Sequence, residues 1–130
     1  MVGLVIVSHS SKLADGVVDE VRIMAEGCPV AAAGGTEDGG FGTSYAKVKS
    51  AVQAVDGGDG VLVLMDMGSA VMTAEMAIEE LGRTDVVLAD CPLVEGAVAA
   101  SVASLCGEDL ASVKAKAVAM RAERKLEDGE

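Results

Sequence analysis

A chain of 130 residues, 51% of them apolar, can build one packed core, and an aromatic share of 2% leaves Val, Leu, Ile, Ala and Met to fill it. The formal net charge of −11 argues against nucleic-acid binding, since phosphates would be repelled, and suits contact with basic faces of protein partners. Cys28, Cys91 and Cys106 cannot all pair and match no metal spacing, no apolar run reaches the ~18 residues of a membrane span, and the N-terminus lacks a signal-peptide pattern, so a cytoplasmic, soluble protein with no membrane contact is expected.

Residues 2–7, VGLVIV, form a short β-branched run that predicts one buried strand. It ends at Ser8, His9, Ser10 and Ser11, and a helical pattern follows at once, with Leu13, Val17, Val21 and Met24 or Ala25 turned inward. Ser10 or Ser11 caps this helix and Gly27 stops it. Cys28, Pro29 and Val30 to Ala33 give a second short strand. Residues 34–42, GGTEDGGFG, are either a plain flexible connection or an anion cradle placed before a Thr43/Ser44 cap. A second helix runs to about Val55, burying Val48, Ala51, Val52 and Val55, and residues 56–59 turn the chain.

Val61 to Met65 predict a third strand, whose exit is Asp66-Met67-Gly68-Ser69-Ala70, a carboxylate followed by Gly and a Ser cap. The third helix covers 69–81, with Val71, Ala74, Ile78 and Leu81 inward and Gly82 at its end. Val86 to Ala89 form a fourth strand, and a small-residue helix over 93–106 and a last helix over about 109–126 follow, the latter with Leu110, Val113, Ala117 and Met120 on one face. This alternation predicts a single three-layer α/β domain over residues 1–130: a mostly parallel, doubly wound sheet of about four strands, helices on both faces, and a C-terminal helix.

His9, the only histidine, sits where open α/β sheets bind ligands, at the carboxyl end of a strand. Its position leaves two readings, a hydrogen-bonded structural residue or a working side chain. A lone His without a Cys or carboxylate cluster is no metal site, and without a G-x-S-x-G elbow it builds no hydrolase. The chemistry left is nucleophilic: an imidazole that takes up a phosphoryl group and hands it on, beside helix N–H groups that favour anions. In a doubly wound sheet the first and third strands are neighbours, which brings Asp66 near His9. Asp66 is then either a turn residue or the acceptor that fixes the imidazole tautomer. The loop after residue 34 lacks the Gly-Lys-Ser/Thr of a P-loop, the chain lacks the aromatics of a flavin site, and the first turn lacks the acids of a receiver domain. No cofactor is expected.

Four segments together carry a resemblance: Val5-Ile6-Val7-Ser8-His9-Ser10 with Leu13-Ala14 and Gly16; Ala33-Gly34-Gly35-Thr36 with Gly42-Thr43-Ser44; Met65-Asp66-Met67-Gly68-Ser69-Ala70; and residues 89–97, ADCPLVEGA. The chain to about residue 106 resembles the phosphotransferase subunits of phosphoenolpyruvate-dependent dihydroxyacetone kinases, within the mannose-class IIA superfamily of the bacterial phosphotransferase system. Sugar-transporting relatives usually carry Gly-Gly-Thr/Ser-Pro after strand three, where this chain has Asp66 to Ala70, which favours the dihydroxyacetone branch.

The resemblance implies that the phosphocarrier HPr, a separate protein, phosphorylates His9. It implies further that His9 rephosphorylates ADP held on the nucleotide-binding subunit of the kinase, and that the chain is a homodimer. Asp66 would orient His9, while Ser10, Gly42, Thr43, Gly68 and Ser69 would hold phosphoryl oxygens. A sugar-system IIA domain that passes phosphate to a IIB domain, and a non-catalytic reporter of phosphorylation state, are the alternatives.

Overall fold

A computed structural model describes residues 1–127. Its strands are β1 (Gly3–Ser8), β2 (Val30–Gly34), β3 (Val61–Met65) and β4 (Val86–Ala89), and its helices are α1 (Ser11–Met24), α2 (Tyr45–Val55), α3 (Ser69–Leu81), α4 (Leu93–Leu105) and α5 (Leu110–Ala119). The strands form one parallel sheet in the order β2-β1-β3-β4. Alternation along β1 and β3 divides the core in two. Leu4, Ile6, Leu62 and Leu64 face one cluster with the inner residues of α1, α4 and α5, and Val5, Val7, Val61 and Val63 face another with α2 and α3. Both faces are covered, as a parallel sheet requires, and the three-layer α/β domain with a C-terminal helix is the fold.

Small residues set how closely the helices approach the sheet, and in two helices they take the most buried places on the expected faces. In α1 the buried positions are Ala14, Val17, Val18 and Val21, and Ala25 just past its end is buried as expected, while Leu13 is 44% exposed and Met24 60%. The cause lies in β2, where Gly34 backs directly onto the start of α1. A Cβ at Gly34 would lie 2.7 Å from the Ala14 Cβ, 2.8 Å from the Ser11 Cα and 2.9 Å from the Ser10 carbonyl oxygen. In α3, likewise, Ala70, Ala74 and Ala77 are buried and Val71, Ile78 and Leu81 only partly so. The last helix is shorter than its sequence pattern, stopping at Ala119 before a 3₁₀ turn over Met120–Ala122. Its apolar spacing holds only as far as α4 offers a surface, and the residues from Arg121 to Glu127 are exposed.

Gly34→Ala is accordingly expected to destabilise the fold by roughly 1–3 kcal/mol, the range for an overpacked core, because the clash is with backbone at the root of α1. Urea denaturation checks this; an unchanged midpoint would mean that α1 can slide outward without loss.

Candidate active site

Register decides what meets at the top of the sheet. Val7 in β1 pairs with Ala33 in β2 and with Met65 in β3, so all three strands leave the sheet together and their exit loops converge. The chain after β3 is tied down at once, since the Asp66 N–H donates to the Val7 carbonyl (3.0 Å). This carries the Asp66 carboxylate over the end of β1, where four donors converge on it.

Oδ2 accepts from the Ser8 hydroxyl (2.8 Å) and the His9 N–H (3.1 Å), and Oδ1 accepts from the Met67 N–H (2.7 Å). Oδ1 also lies 3.1 Å from His9 Nδ1. Burial alone would raise the Asp66 carboxyl, but these hydrogen bonds, with the imidazole beside it, outweigh that and hold it below the ordinary carboxylate range. An ionised carboxylate only accepts, so it selects the imidazole tautomer with its proton on Nδ1. The lone pair is then on Nε2, which points away from the sheet and lies 2.7 Å from the Ser69 hydroxyl.

Ser69 differs in role from its sequence expectation. The N-cap of α3 is Gly68, at φ 54° and ψ −121°, a conformation open to glycine, and no side chain caps this helix. Ser69 is therefore the first helical residue, with its hydroxyl turned to the histidine. The start of α3, with its uncapped N-terminal turn, thus stands beside Nε2.

The other expected phosphoryl-binding residues sit around this centre with partners of their own. The Ser10 side chain is the N-cap of α1, accepting from the Leu13 N–H (3.2 Å). The Gly42 N–H donates to the His9 carbonyl (2.9 Å), and the Thr43 hydroxyl lies 2.7 Å from that of Thr73 on α3. Two contacts were not read from the sequence. Ser8, fully buried at the end of β1, bridges the Asp66 carboxylate and the Ser10 N–H (3.0 Å). The sequence offers one signal for it, a serine that ends the apolar run directly before the histidine. The Phe41 ring stacks on the imidazole, with centroids 5.5 Å apart and planes at 23°. Among the described residues no group of three or more His, Cys, Asp or Glu is placed to hold a metal, and no helix is long and apolar enough to cross a membrane.

Residues 3–114 match the model of the EIIA-man family, described as the fructose IIA component of the phosphotransferase system. Phosphoryl donor subunits of phosphoenolpyruvate-dependent dihydroxyacetone kinases are among the relatives. The one from Escherichia coli is 45% identical over 120 residues, covering 87% of this chain and 25% of its own length. The chain thus spans about a quarter of that protein. Shorter relatives align over most of their length: one from Listeria innocua is 40% identical, covering 75% of this chain and 77% of its own, and one from Lactococcus lactis is 34% identical, covering 86% and 89%. A crystal structure of a protein of unknown function superposes with a TM-score of 0.85 at 27% identity, covering 98% of this chain and 100% of that one. The dihydroxyacetone kinase of C. freundii, at 20% identity, a TM-score of 0.67 and coverage of 92% and 24%, shares the fold alone. A histidine–carboxylate pair at the sheet edge and a family match over most of the chain agree: the chain belongs to the EIIA-man family, and the relatives it aligns with over most of their own length are named phosphoryl donor or phosphotransferase subunits of dihydroxyacetone kinases.

Proposed function

We propose that residues 1–130 act as a single mannose-class IIA domain that carries a phosphoryl group on His9 Nε2 between HPr and a nucleotide-bound kinase subunit. The observation that carries this reading is the pairing of His9 Nδ1 with Asp66 while Nε2 faces outward beside the start of α3. Phospho-HPr docks over the sheet edge and the Nε2 lone pair attacks phosphorus. The donor's N–P bond breaks and its electron pair returns to the donor imidazole. The proton on His9 Nδ1 stays in place, held by Asp66, so no proton crosses the solvent during the step. Ser69 gives up its hydrogen bond to Nε2 and donates instead to a phosphoryl oxygen, with the helix N–H groups behind it.

Gly68 leaves the approach to this helix start open, because nothing lies within 4 Å of where its Cβ would be. Ser10, Gly42 and Thr43 contribute by holding the first turn and the glycine-rich loop in register, and reach the phosphoryl group only by exchanging their present partners. In the second step a β-phosphate oxygen of ADP on the kinase subunit attacks phosphorus, the Nε2–P bond breaks and its electron pair returns to the imidazole, with alignment and charge neutralisation by two protein surfaces doing the catalysis. In this reading the protein works as a cytoplasmic homodimer and needs no cofactor of its own.

The acceptor separates this reading from a sugar-system IIA domain, to which the family description also applies. Phosphorylated protein mixed with the ADP-loaded kinase subunit is expected to lose its phosphate and yield ATP. With free ADP, or with a IIB domain, the phosphohistidine should persist. Discharge to free ADP at an equal rate, or none to the loaded subunit, would overturn the assignment.

A further inference from the structure

The chain has one phenylalanine and one tyrosine, and its core is otherwise aliphatic. A lone Phe belongs inside by hydrophobicity, yet Phe41 is 78% exposed. Among the described residues its one ring contact is with the histidine, at the 5.5 Å separation given above.

The loop that presents it is tied to the end of β1 on both sides. On the entry side the Gly35 N–H donates to the Ser8 carbonyl (3.0 Å), and Lys47 Nζ donates to the Gly34 carbonyl (2.9 Å). On the exit side the Gly42 N–H donates to the His9 carbonyl. Within the loop, Thr36 and Gly40 exchange bonds, from the Thr36 N–H to the Gly40 carbonyl (3.0 Å) and from the Gly40 N–H to Thr36 Oγ1 (2.9 Å). Gly42 has φ 141°, and a Cβ there would meet Thr36 Cγ2 at 2.8 Å. The glycine-rich segment is therefore a braced arm, and Phe41 is what it holds over the imidazole.

We propose that Phe41 stabilises the phosphorylated state of His9, by offering its π face to the positive ring that forms when Nε2 bonds to phosphorus. This rests on the phosphohistidine reading. When the Nε2 lone pair becomes the N–P bond and Nδ1 keeps its proton, both ring nitrogens are substituted and the imidazole becomes cationic. Asp66 meets that charge at the ring edge through Nδ1, and Phe41 meets it from the face, within the roughly 6 Å over which a π system attracts a cation. A neutral imidazole gains less from the same contact, so the stack favours the loaded carrier over the empty one.

Phe41→Leu keeps an apolar side chain but removes the π face, and Phe41→Trp keeps a larger one. In the unphosphorylated protein, NMR should show the His9 ring protons moving when the neighbouring ring current is lost in the Leu variant, and remaining perturbed in the Trp variant. With HPr and a fixed phosphate pool, the Leu variant should hold about two- to five-fold less phosphate relative to HPr at equilibrium, the scale of an exposed cation–π contact. The Trp variant should hold at least as much as the parent. Equal loading of Leu variant and parent, or equal losses in the Leu and Trp variants, overturns the proposal. A parent protein that takes no phosphate from phospho-HPr would instead defeat the carrier reading and this inference with it, and the ring-proton shifts, which need no phosphate, tell that case apart.

Discussion

His9→Ala is expected to abolish phosphorylation: with phosphoenolpyruvate, enzyme I and HPr, the parent should gain one acid-labile phosphate per chain and the variant none. The chain has no second imidazole to take over. The Ser69 hydroxyl lies beside Nε2, but the base it is hydrogen-bonded to is the imidazole that the substitution removes. Cys91 stands at the end of β4 with its thiol pushed up to about 11 by burial and by the adjacent Asp90, so its thiolate is scarce at neutral pH. The Cys28 thiol is raised by burial as well.

The fold should survive, because Asp66 keeps its bonds from the Ser8 hydroxyl and the His9 and Met67 N–H groups, all independent of the imidazole. A native circular dichroism spectrum with no label is the expected result. Label that persists in the variant would move the phosphoryl group to another residue and sink the proposal.

How much of this was legible beforehand follows from what each feature depends on. The four strands and the sheet are readable because short apolar runs alternate with helical periods, and that pattern is local. The nearness of Asp66 to His9 followed from topology, since β1 and β3 had to be neighbours in a doubly wound sheet. Helix faces were less legible. Periodicity put Leu13 inside, but a glycine in a strand distant in sequence brings Ala14 against the sheet, and only the packing reveals that exchange. The residue type of Ser69 suggests a cap, whereas the backbone places Gly68 there and frees the hydroxyl for His9. Phe41 lay in a glycine-rich loop with no periodicity to orient it, so its stacking depends wholly on the bonds that brace that loop.

Asp66→Asn is expected to slow phosphoryl transfer by ~10²-fold or more, on the scale of losing an orienting group, with the fold retained. The reason is a count of donors. The carboxylate accepts from the Ser8 hydroxyl and the His9 N–H at Oδ2, and faces the Met67 N–H and His9 Nδ1 at Oδ1. An amide brings one acceptor oxygen and a donor NH₂ to the same places. If the NH₂ takes the Oδ1 position, it opposes the Met67 N–H and can satisfy Nδ1 only as an acceptor. The imidazole proton then moves to Nε2, and the lone pair needed for attack is gone. If the NH₂ takes the Oδ2 position, it opposes the His9 N–H and disturbs the backbone of the histidine itself.

The pH dependence has a definite sign. Asp66 is held below its ordinary value, so its contribution to stability and to orientation is complete above the unfolded carboxyl range. That contribution fades as pH falls through the depressed folded value, and it is absent in the Asn variant at every pH. Single-turnover transfer from phospho-HPr, followed in parent and variant across the acid range, measures both effects. A variant as fast as the parent at neutral pH would reduce Asp66 to a turn residue.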